Sequence, residues 1–288
     1  MFETIGIIGT GNMGRAIAMG LVRSGLIEGK QLILYNIHTE KAQRLADETG
    51  AAVVDSAAGL VQQSQAVILA VKPFIMPGVL KDIYQAVTPD KVMISIAAGL
   101  TLQCLADAMP AGTKIVRVMP NTPSMVGEGM AALCFNEAVT DDEKDDSVAI
   151  FRSFGKAEVV EERLIDAVCG LSGSGPAFVY MFIEALADAG VREGMFRPMA
   201  YTFAAQTVLG AAKMVLETGE HPGKLKDDVC SPGGTTIEAV RVLEEGRRDV
   251  RRLHVRLQLL RQETDRVHHT RGIGRAHDRA FRSFPRRL

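Results

Sequence analysis

Three glycines near the start of the chain have the spacing of a phosphate-binding turn, in the run Gly9-Thr-Gly11-Asn-Met-Gly14. The first glycine permits a tight turn, the second lets the backbone approach a pyrophosphate, and the third allows a helix to pack closely on the preceding strand. Asn12 and Met13 lie where that helix would begin, and the unpaired N–H groups of a helix N-terminus attract anions. The run predicts a dinucleotide-binding site; the alternative is a glycine turn with only a structural role.

The end of the second predicted strand bears on which nicotinamide cofactor would bind. An acidic residue there would bind the ribose 2′-hydroxyl of NAD, but the sequence has Asn36 at this position. Thr39 and Lys41 follow, and together with Asn36 they could accommodate a 2′-phosphate. The pattern favours NADPH, leaves NADH possible, and is also compatible with a simple loop and helix cap.

Two further segments follow predicted strands and are candidates for the cofactor side of a site. One is Ala70-Val71-Lys72-Pro73, in which the proline ends the strand, and the other is Pro120-Asn121-Thr122-Pro123. The two prolines of the second segment make a stiff loop that could place Asn121 near a nicotinamide. Ligands of open parallel sheets bind at the carboxyl ends of the strands, so both segments are suitably placed. A plain turn would explain the second segment equally well.

A second glycine motif occurs late in the chain, at Ser231-Pro-Gly233-Gly234-Thr235-Thr236-Ile-Glu238. Its glycines would expose backbone N–H groups at the start of a helix, which is a favourable site for an anion. A substrate carboxylate could bind the amides of Gly234 and Thr235 while a threonine hydroxyl reaches its reacting end. An ordinary helix cap is the alternative.

The elements that must position these residues alternate between strands and helices in the first half of the chain. Apolar, β-branched runs predict strands, and longer apolar periodicity predicts helices. The predicted strands are Thr4–Ile8, Gln31–Asn36, Ala52–Val54, Ala66–Ala70, Val92–Ile96 and Lys114–Met119, with helices at Glu40–Thr49 and Ala57–Gln63. From about Leu164 the sequence becomes helical, with broad apolar faces over Ala177–Ala189 and Met199–Leu216. Such faces predict burial between helices or across a subunit interface.

Composition and cysteine usage limit the classes of protein to consider. The chain has 288 residues, 47% hydrophobic and 23% charged, and a net charge of -1. Its four cysteines lie far apart without a CxxC pair, which argues against a metal site or a disulfide framework and fits a reducing cytoplasm. No apolar stretch reaches the ~20 residues that cross a bilayer, and Met1 leads into a predicted strand rather than a signal peptide. A soluble cytoplasmic protein that does not bind a membrane is expected.

The last part of the chain differs in composition from the rest. Residues 247–288 contain thirteen arginines, no lysine and four acidic residues, whereas the preceding residues are acidic on balance. Such a shift in charge marks a separate segment. The arginines follow no groove-facing or heptad pattern and few aromatic residues accompany them, so nucleic acid is not expected as a partner.

Taken together, the motifs resemble those of the pyrroline-5-carboxylate reductases from residue 2 to Gly246. The matching segments are Gly9–Gly14, Ala70–Pro73, Ser95–Gly99, Met119–Pro123, Gly170–Pro176 and Lys226–Glu245. The resemblance implies an α/β fold, with an N-terminal Rossmann-type dinucleotide-binding domain (1–160) followed by an all-α C-terminal dimerisation domain (161–246) and the arginine-rich tail (247–288). It also implies a homodimer or a larger homo-oligomer.

The activity that the resemblance implies is reduction of the C=N bond of 1-pyrroline-5-carboxylate by NAD(P)H to L-proline, the last step of proline biosynthesis. Thr236 would be the hydroxyl near the imine nitrogen, and the backbone of Ser231–Thr235 would hold the substrate carboxylate. The segment Ala70–Pro73 and Asn121 would line the cofactor side, and no metal would take part. A protonated cyclic imine accepts hydride readily, so the protein must chiefly orient the reactants and exclude water.

Two other functions stay open. The β-hydroxyacid dehydrogenases share the GxGxMG start, but they place a lysine on the helix after their glycine-rich loop, and Pro176–Ala189 contains no lysine. The other is a catalytically impaired NAD(P)-binding protein from a frameshifted copy of a reductase. The family continues after Gly246 with an alanine-rich amphipathic helix, where this chain has its arginine-rich tail. Loss of that helix would expose apolar surface and weaken the dimer.

Overall fold

The computed structural model describes residues 1–245, so the predictions about the tail at 247–288 lie outside the described residues. Met1–Pro176 form one unit, which is built around a sheet. The described residues from Ala177 onward belong to a second unit, which is helical. The domain limits at 160 and 246 stay a prediction.

The sheet of the first unit has eight strands within the described residues, in the order β3-β2-β1-β4-β5-β6-β7-β8. They are β1 (Ile5–Ile8), β2 (Leu32–Tyr35), β3 (Ala52–Val53), β4 (Ala66–Leu69), β5 (Val92–Ser95), β6 (Lys114–Met119), β7 (Gly129–Phe135) and β8 (Gly155–Val159). Neighbouring strands are parallel except for the antiparallel pair β6–β7. The chain starts in the middle of the sheet and then reverses direction, which creates a switch point between β1 and β4.

The register of the central strands brings their carboxyl ends to one level. Ile8, the last residue of β1, is paired with Tyr35 of β2 on one side and with Leu69 of β4 on the other. The residues that follow these three strands therefore meet at one edge of the sheet. Ligands of doubly wound sheets bind at this edge.

Helices cover both faces of the sheet because the strands are apolar on both sides. They are α1 (Asn12–Arg23), α2 (Thr39–Thr49), α3 (Ala57–Gln63), α4 (Met76–Ile83), α5 (Leu102–Asp107) and α6 (Asp141–Arg152). Alternate residues of one strand enter different cores: Ile68 packs with α1, α2 and α6, whereas Val67 and Leu69 pack with α3, α4 and α5. Strands buried on both faces are typical of parallel sheets covered by helices.

The link to the second unit is one nearly continuous helical run. It consists of a 3₁₀ turn (Glu162–Leu164), α7 (Ile165–Val168), a single π-helical turn (Cys169–Gly173) and α8 (Gly175–Arg192). The π-helical turn closes with a hydrogen bond from the Ser174 N–H to the Cys169 carbonyl over 2.8 Å. Such π-turns are rare and often occur at functional sites.

The second unit continues with α9 (Arg197–Thr218), α10 (Pro222–Val229) and α11 (Thr235–Glu245). Its small core contains Ala187, Ala200 and Ala204. Many large apolar side chains of this unit are instead exposed, among them Tyr180, Met181, Phe196, Phe203, Leu209, Met214 and Leu216. Among the described residues of a single chain these side chains therefore form a broad exposed apolar surface, as expected for helices that pack across a subunit interface.

One expectation about apolar stretches needs correction. Among the described residues, the helical run Glu162–Arg192 is long and apolar enough to cross a membrane, judged by length and composition alone. The sequence pattern missed it because many of its residues are only weakly apolar glycine and alanine, and because the run continues through a glycine- and serine-rich segment. A single such helix is weak evidence for a membrane span.

Most predicted elements agree with the structure, and the Rossmann-type α/β fold followed by a helical region is confirmed. The helix Ala57–Gln63 and the strand Lys114–Met119 have the predicted limits, and the other predicted strands are longer than observed by one or two residues. The sequence patterns did not predict α4, α5, β7, α6 and β8. Thr140 and Glu143 form a capping box at the start of α6, a signal that could have located this helix.

Candidate functional site

Gly9 occupies a position that only glycine adopts without strain. It follows β1 with φ +101°, and its N–H donates to the Tyr35 carbonyl over 2.8 Å. A Cβ atom at this position would lie 2.7 Å from the Ala70 carbonyl oxygen. The chain can therefore turn sharply between the ends of β2 and β4 only because residue 9 has no side chain.

Gly14 and Gly11 differ in what surrounds them. A Cβ on Gly14 would come within 2.0 Å of the Gly9 carbonyl oxygen, so close packing of α1 on the turn requires glycine. A Cβ on Gly11 would meet no described atom within 4 Å, and its backbone is extended. Since the fold itself does not demand glycine at position 11, the open space beside the N-terminus of α1 is a cradle that a side chain would fill. This arrangement fits a cofactor pyrophosphate.

Asn12 and Met13 form the first turn of α1, where N–H groups have no acceptor within the helix. Asn12 is exposed and Met13 is half-buried. Their positions are compatible with the predicted contact to a dinucleotide. The contact itself stays a prediction.

Asn36 lies at the tip of β2 and bonds to the protein on both sides of its amide. Its Nδ2 donates to Oγ1 of Thr10 over 2.7 Å, and its Oδ1 accepts from the His38 N–H over 3.0 Å. Thr39 begins α2, and Lys41 is exposed in its first turn. Asn36 therefore holds the glycine turn against the start of α2, in addition to its predicted role in cofactor binding.

The segment after β4 adjoins the glycine turn. The Ala70 N–H donates to the Ile8 carbonyl over 2.9 Å, and the Val71 side chain lies beside Gly9. Lys72 is exposed and Pro73 is half-buried. The structure thus places the predicted segment Ala70–Pro73 next to the turn, at the edge of the sheet where the carboxyl ends of the strands meet.

Asn121 is nearly buried in the loop after β6 and connects two other parts of the unit. Its Nδ2 donates to the Ser172 carbonyl in the π-helical turn over 3.1 Å, and its Oδ1 accepts from the Met130 N–H at the start of β7 over 2.8 Å. Both ends of the amide are thus engaged by the protein. Contact with a nicotinamide, which the sequence analysis assigned to Asn121, stays a prediction.

An ionic cluster around the buried Arg117 lies beside this loop, and the sequence patterns did not predict it. Arg117 of β6 is buried, and its Nη1 donates to Oε1 of Glu162 over 2.9 Å. Its Nη2 lies 3.4 Å from Oδ1 of Asp166. The same Oε1 of Glu162 accepts the Leu102 N–H over 2.7 Å. An arginine in the interior of a mostly apolar strand was the local signal, but nothing in the spacing indicated its partners 45 and 49 residues away.

Two thiols beside the cluster have a raised pKa, chiefly because they are buried. Burial, helped by the Glu162 carboxylate and opposed by Arg117, raises the pKa of Cys134 to about 11. Burial and the charge of Asp166 raise the pKa of Cys169, again against the effect of Arg117. Both thiols therefore stay protonated near neutral pH, which disfavours a nucleophilic role.

The late glycine motif forms a turn between α10 and α11 in the second unit. Gly233 has φ +67°, in the left-handed region, and the Gly234 N–H donates to the Ser231 carbonyl over 3.0 Å. The Gly234 amide thus closes the turn, and its predicted contact with a substrate carboxylate stays a prediction. The first-turn N–H groups of α11, which begins at Thr235, have no acceptor within the helix.

Thr236 is half-buried in the first turn of α11. The two helices that flank the motif are connected by Lys226 of α10, whose Nζ lies 3.6 Å from a carboxylate oxygen of Glu244 in α11. The structure therefore collects the predicted cofactor residues in the first unit and the predicted substrate residues in the second. Within the described residues, no cluster of His, Cys, Asp and Glu could hold a metal ion.

Known protein families match both the N-terminal and the C-terminal part of the chain. Residues 162–256 match the family model for pyrroline-5-carboxylate reductase dimerisation, and residues 4–99 match the model for coenzyme F420-dependent NADP oxidoreductases. The pyrroline-5-carboxylate reductase of Escherichia coli K12 is 53% identical over 245 residues, which is 85% of this chain and 91% of that protein.

Two solved structures are similar over most of their length. The pyrroline-5-carboxylate reductase of Coxiella burnetii superposes with a TM-score of 0.82 at 34% identity, covering 88% of this chain and 94% of that one. The pyrroline carboxylate reductase of Plasmodium falciparum with NADP bound gives a TM-score of 0.79 at 33% identity, covering 89% and 95% of the two chains.

Proposed function

The chain belongs to the pyrroline-5-carboxylate reductase family, and we propose that it reduces the C=N bond of 1-pyrroline-5-carboxylate with NADPH to give L-proline. The observation that carries the proposal is 53% identity over 85% of the chain to a reductase of that name. The chain is accordingly an NAD(P)H-dependent oxidoreductase of proline biosynthesis.

The glycine turn would hold the cofactor. Gly9 and Gly14 shape the turn, and Gly11 leaves room for a pyrophosphate beside the N–H groups of Asn12 and Met13. When bound, NADPH supplies the hydride. Asn36 would adjoin the 2′-phosphate at the tip of β2, and the Plasmodium relative with bound NADP supports this choice of cofactor. NADH as a second, poorer donor is compatible with the same residues.

The late glycine motif would hold the substrate. The Ser231–Gly234 turn and the first-turn N–H groups of α11 would bind the carboxylate, with Gly233 providing the left-handed turn. The Thr236 hydroxyl would donate a hydrogen bond at the imine nitrogen and thereby orient the ring. The segment Ala70–Pro73 and Asn121 would line the nicotinamide side and help to exclude water.

The residues present disfavour the alternative of alcohol oxidation. β-Hydroxyacid dehydrogenases need a general base for the alcohol, and α8 (Gly175–Arg192) contains no lysine. An imine needs no such base because its carbon accepts hydride once the nitrogen is protonated or hydrogen-bonded. A form without turnover is also disfavoured, since every proposed site residue precedes the atypical tail.

The chain forms a homo-oligomer, in accordance with the dimerisation match at 162–256 and the exposed apolar side chains of α8 and α9. A homodimer is the proposed minimal assembly. The same interface accounts for the long apolar run Glu162–Arg192 without a membrane, and the cytoplasm is the proposed location. Whether the tail at 247–288 weakens the dimer is decided by the oligomer size of the full chain.

The proposal is tested by NADPH oxidation by the full chain with and without 1-pyrroline-5-carboxylate. Turnover should require the substrate, fall strongly in Thr236→Ala and be largely retained in Thr236→Ser, which keeps the hydroxyl. Cofactor oxidation that is independent of the imine, or equal in the two variants, would contradict the assigned substrate or the assigned role of Thr236.

A further inference from the structure

Glu162 connects three chain segments at the cofactor edge of the sheet. Its Oε1 accepts the Leu102 N–H over 2.7 Å and Nη1 of Arg117 over 2.9 Å. Leu102 begins α5, directly after the loop that follows β5, and Arg117 lies in β6, shortly before the Pro120–Pro123 loop. We propose that Glu162 is a positioning residue for hydride transfer, an inference that rests on the proposed reductase function.

Because Arg117 is buried, its positive charge needs the carboxylate of Glu162 as a partner. The Arg117 side chain is 5% exposed, and in the sheet register its neighbours are Ser95 and Cys134, neither of which can neutralise it. Among the described residues its anionic partners are Glu162 at 2.9 Å and Asp166 at 3.4 Å, of which Asp166 is the more exposed. Removing one partner of a buried ion pair leaves an uncompensated charge, which is strongly destabilising. Without the Glu162 charge, Arg117 would therefore shift toward another partner or toward water.

Movement of Arg117 would be transmitted to the loop after β6. Asn121 in that loop is bonded to Ser172, which lies on the same helical run that Glu162 begins. Packing is tight here, because a Cβ on Gly173 would come 2.9 Å from Cε of Met119. The loop is thus held to the run 162–173 at two points, through Arg117 below it and through Asn121 within it.

Because Glu162 holds the loops after β5 and β6, its loss should affect hydride transfer rather than cofactor affinity. The loops after β5 and β6 lie at the edge of the sheet where the cofactor binds, whereas the glycine turn that grips the pyrophosphate follows β1. Transfer requires the donor and acceptor carbons at roughly 3–3.5 Å in the correct orientation, and small misplacements are costly. Loosening the two loops should therefore slow the chemical step while NADPH still binds.

The test compares Glu162→Gln with Glu161→Gln in the full chain. The Glu162→Gln substitution would keep an acceptor for the Leu102 N–H but remove the charge facing Arg117, whereas the exposed Glu161 pairs with Arg163 two residues away. In Glu162→Gln we expect kcat to fall about tenfold, the KM for NADPH to stay within about twofold of wild type, and the isotope effect on kcat with C4-deuterated NADPH to increase. Glu161→Gln should match wild type in all three.

The isotope effect distinguishes a positioning role of Glu162 from a role in stability alone. A smaller folded fraction would lower kcat but would leave the isotope effect unchanged. A Glu162→Gln enzyme with wild-type kcat, or with a lowered kcat and an unchanged isotope effect, would overturn the inference. If Glu162→Gln does not fold, Glu162→Asp serves as the second variant. It keeps the charge but shortens the side chain by one methylene group, which withdraws the carboxylate from the Leu102 N–H and from Arg117. The same three quantities should therefore change in the same directions.

Hydrogen–deuterium exchange distinguishes failure of this inference from failure of the proposed function. Wild-type protein that does not turn over 1-pyrroline-5-carboxylate would refute the function, yet faster exchange over residues 96–105 and 117–126 in Glu162→Gln would still support the positioning role. Exchange in these segments equal to that of Glu161→Gln would overturn it.

Discussion

The Nδ2 atom of Asn36 donates a hydrogen bond to Oγ1 of Thr10 over 2.7 Å, which connects the tip of β2 to the glycine turn. In NAD-binding folds this strand tip carries an acidic residue that binds the ribose hydroxyls. Here the neutral amide supports the turn and leaves no negative charge to repel a 2′-phosphate. Turn geometry depends on this side chain, and under the proposed function cofactor choice would depend on it as well.

Asn36→Asp should shift the enzyme from NADPH toward NADH. A carboxylate at this position would repel the 2′-phosphate and could accept a bond from the ribose hydroxyl, so we expect kcat/KM for NADPH to fall about tenfold or more while that for NADH is retained or rises. Thr10→Ala is the matched control, since it removes the same hydrogen bond without adding charge. Equal losses with both cofactors in Asn36→Asp would show that Asn36 acts only through the turn.

Gly11→Ala and Gly14→Ala should separate cofactor binding from folding. The added methyl group at position 14 would collide with the Gly9 carbonyl and should cost about 1–3 kcal/mol of unfolding free energy. At position 11 the methyl group would enter open space, so Tm should change by roughly 2 °C or less, while NADPH affinity falls about tenfold or more.

Thermal melts and NADPH titrations of the two variants provide the measurement. Gly14→Ala should have the larger effect on Tm, whereas Gly11→Ala should have the larger effect on NADPH affinity. If Gly11→Ala bound NADPH as tightly as wild type, the open space at the start of α1 would not be the pyrophosphate site.

Most of the fold around the glycine turn could be predicted from the sequence, because its elements are specified by local residue patterns. Apolar runs with β-branched residues, such as Val67 and Ile68 in β4, and the fixed glycine spacing carry their structural information within a few residues. β7 (Gly129–Phe135) lacks β-branched residues, so its propensity gave no signal. Its pairing depends on β6, which is a tertiary contact.

The polar contacts within the site could not be predicted for a different physical reason. Asn121 is recognisable from sequence as a polar residue in a stiff loop, but its acceptor at Ser172 lies 51 residues away. The Ser172 carbonyl lies within the π-helical turn, which brings it to Asn121. The change from i+4 to i+5 hydrogen bonding in this turn produces no recognisable spacing in a sequence of glycines and serines. The partners of Arg117 likewise become visible only when the chain is folded.

Unfolding free energy should decrease from pH 9 to about pH 11 through Cys134. An unfolded thiol titrates near 9.0, and burial raises the pKa of Cys134 to about 11. The native state holds this proton more tightly, so the stabilisation is complete below pH 9 and is lost as pH rises through the native pKa. We expect a loss of about 1–2 kcal/mol across this range.

Urea unfolding of wild type and Cys134→Ala at pH 8.5 and pH 10.5 checks this prediction, because the variant should show a smaller loss. Cys104→Ala provides the control for a thiol outside the sheet. Identical pH dependence of wild type and Cys134→Ala would mean that Cys134 titrates as an ordinary thiol.

Leu209→Glu on α9 should weaken the oligomer and spare the first unit. Leu209 is 51% exposed in a single chain, and the intrachain core of this helix is formed by Ala200 and Ala204 instead. A carboxylate placed within an apolar interface loses its hydration, so we expect the dissociation constant of the assembly to rise at least about tenfold. Sedimentation velocity over a concentration series measures it.

Thr207→Glu adds the same charge at an exposed polar position of the same helix, about 160° around the helix axis from Leu209, and should leave the mass of the assembly unchanged. NADPH binding by Leu209→Glu should persist, since the glycine turn belongs to the first unit. If Leu209→Glu stayed fully assembled, the apolar surface of α9 near this residue would not be the interface. Weakening by both variants to the same extent would instead indicate a general effect of negative charge on the assembly.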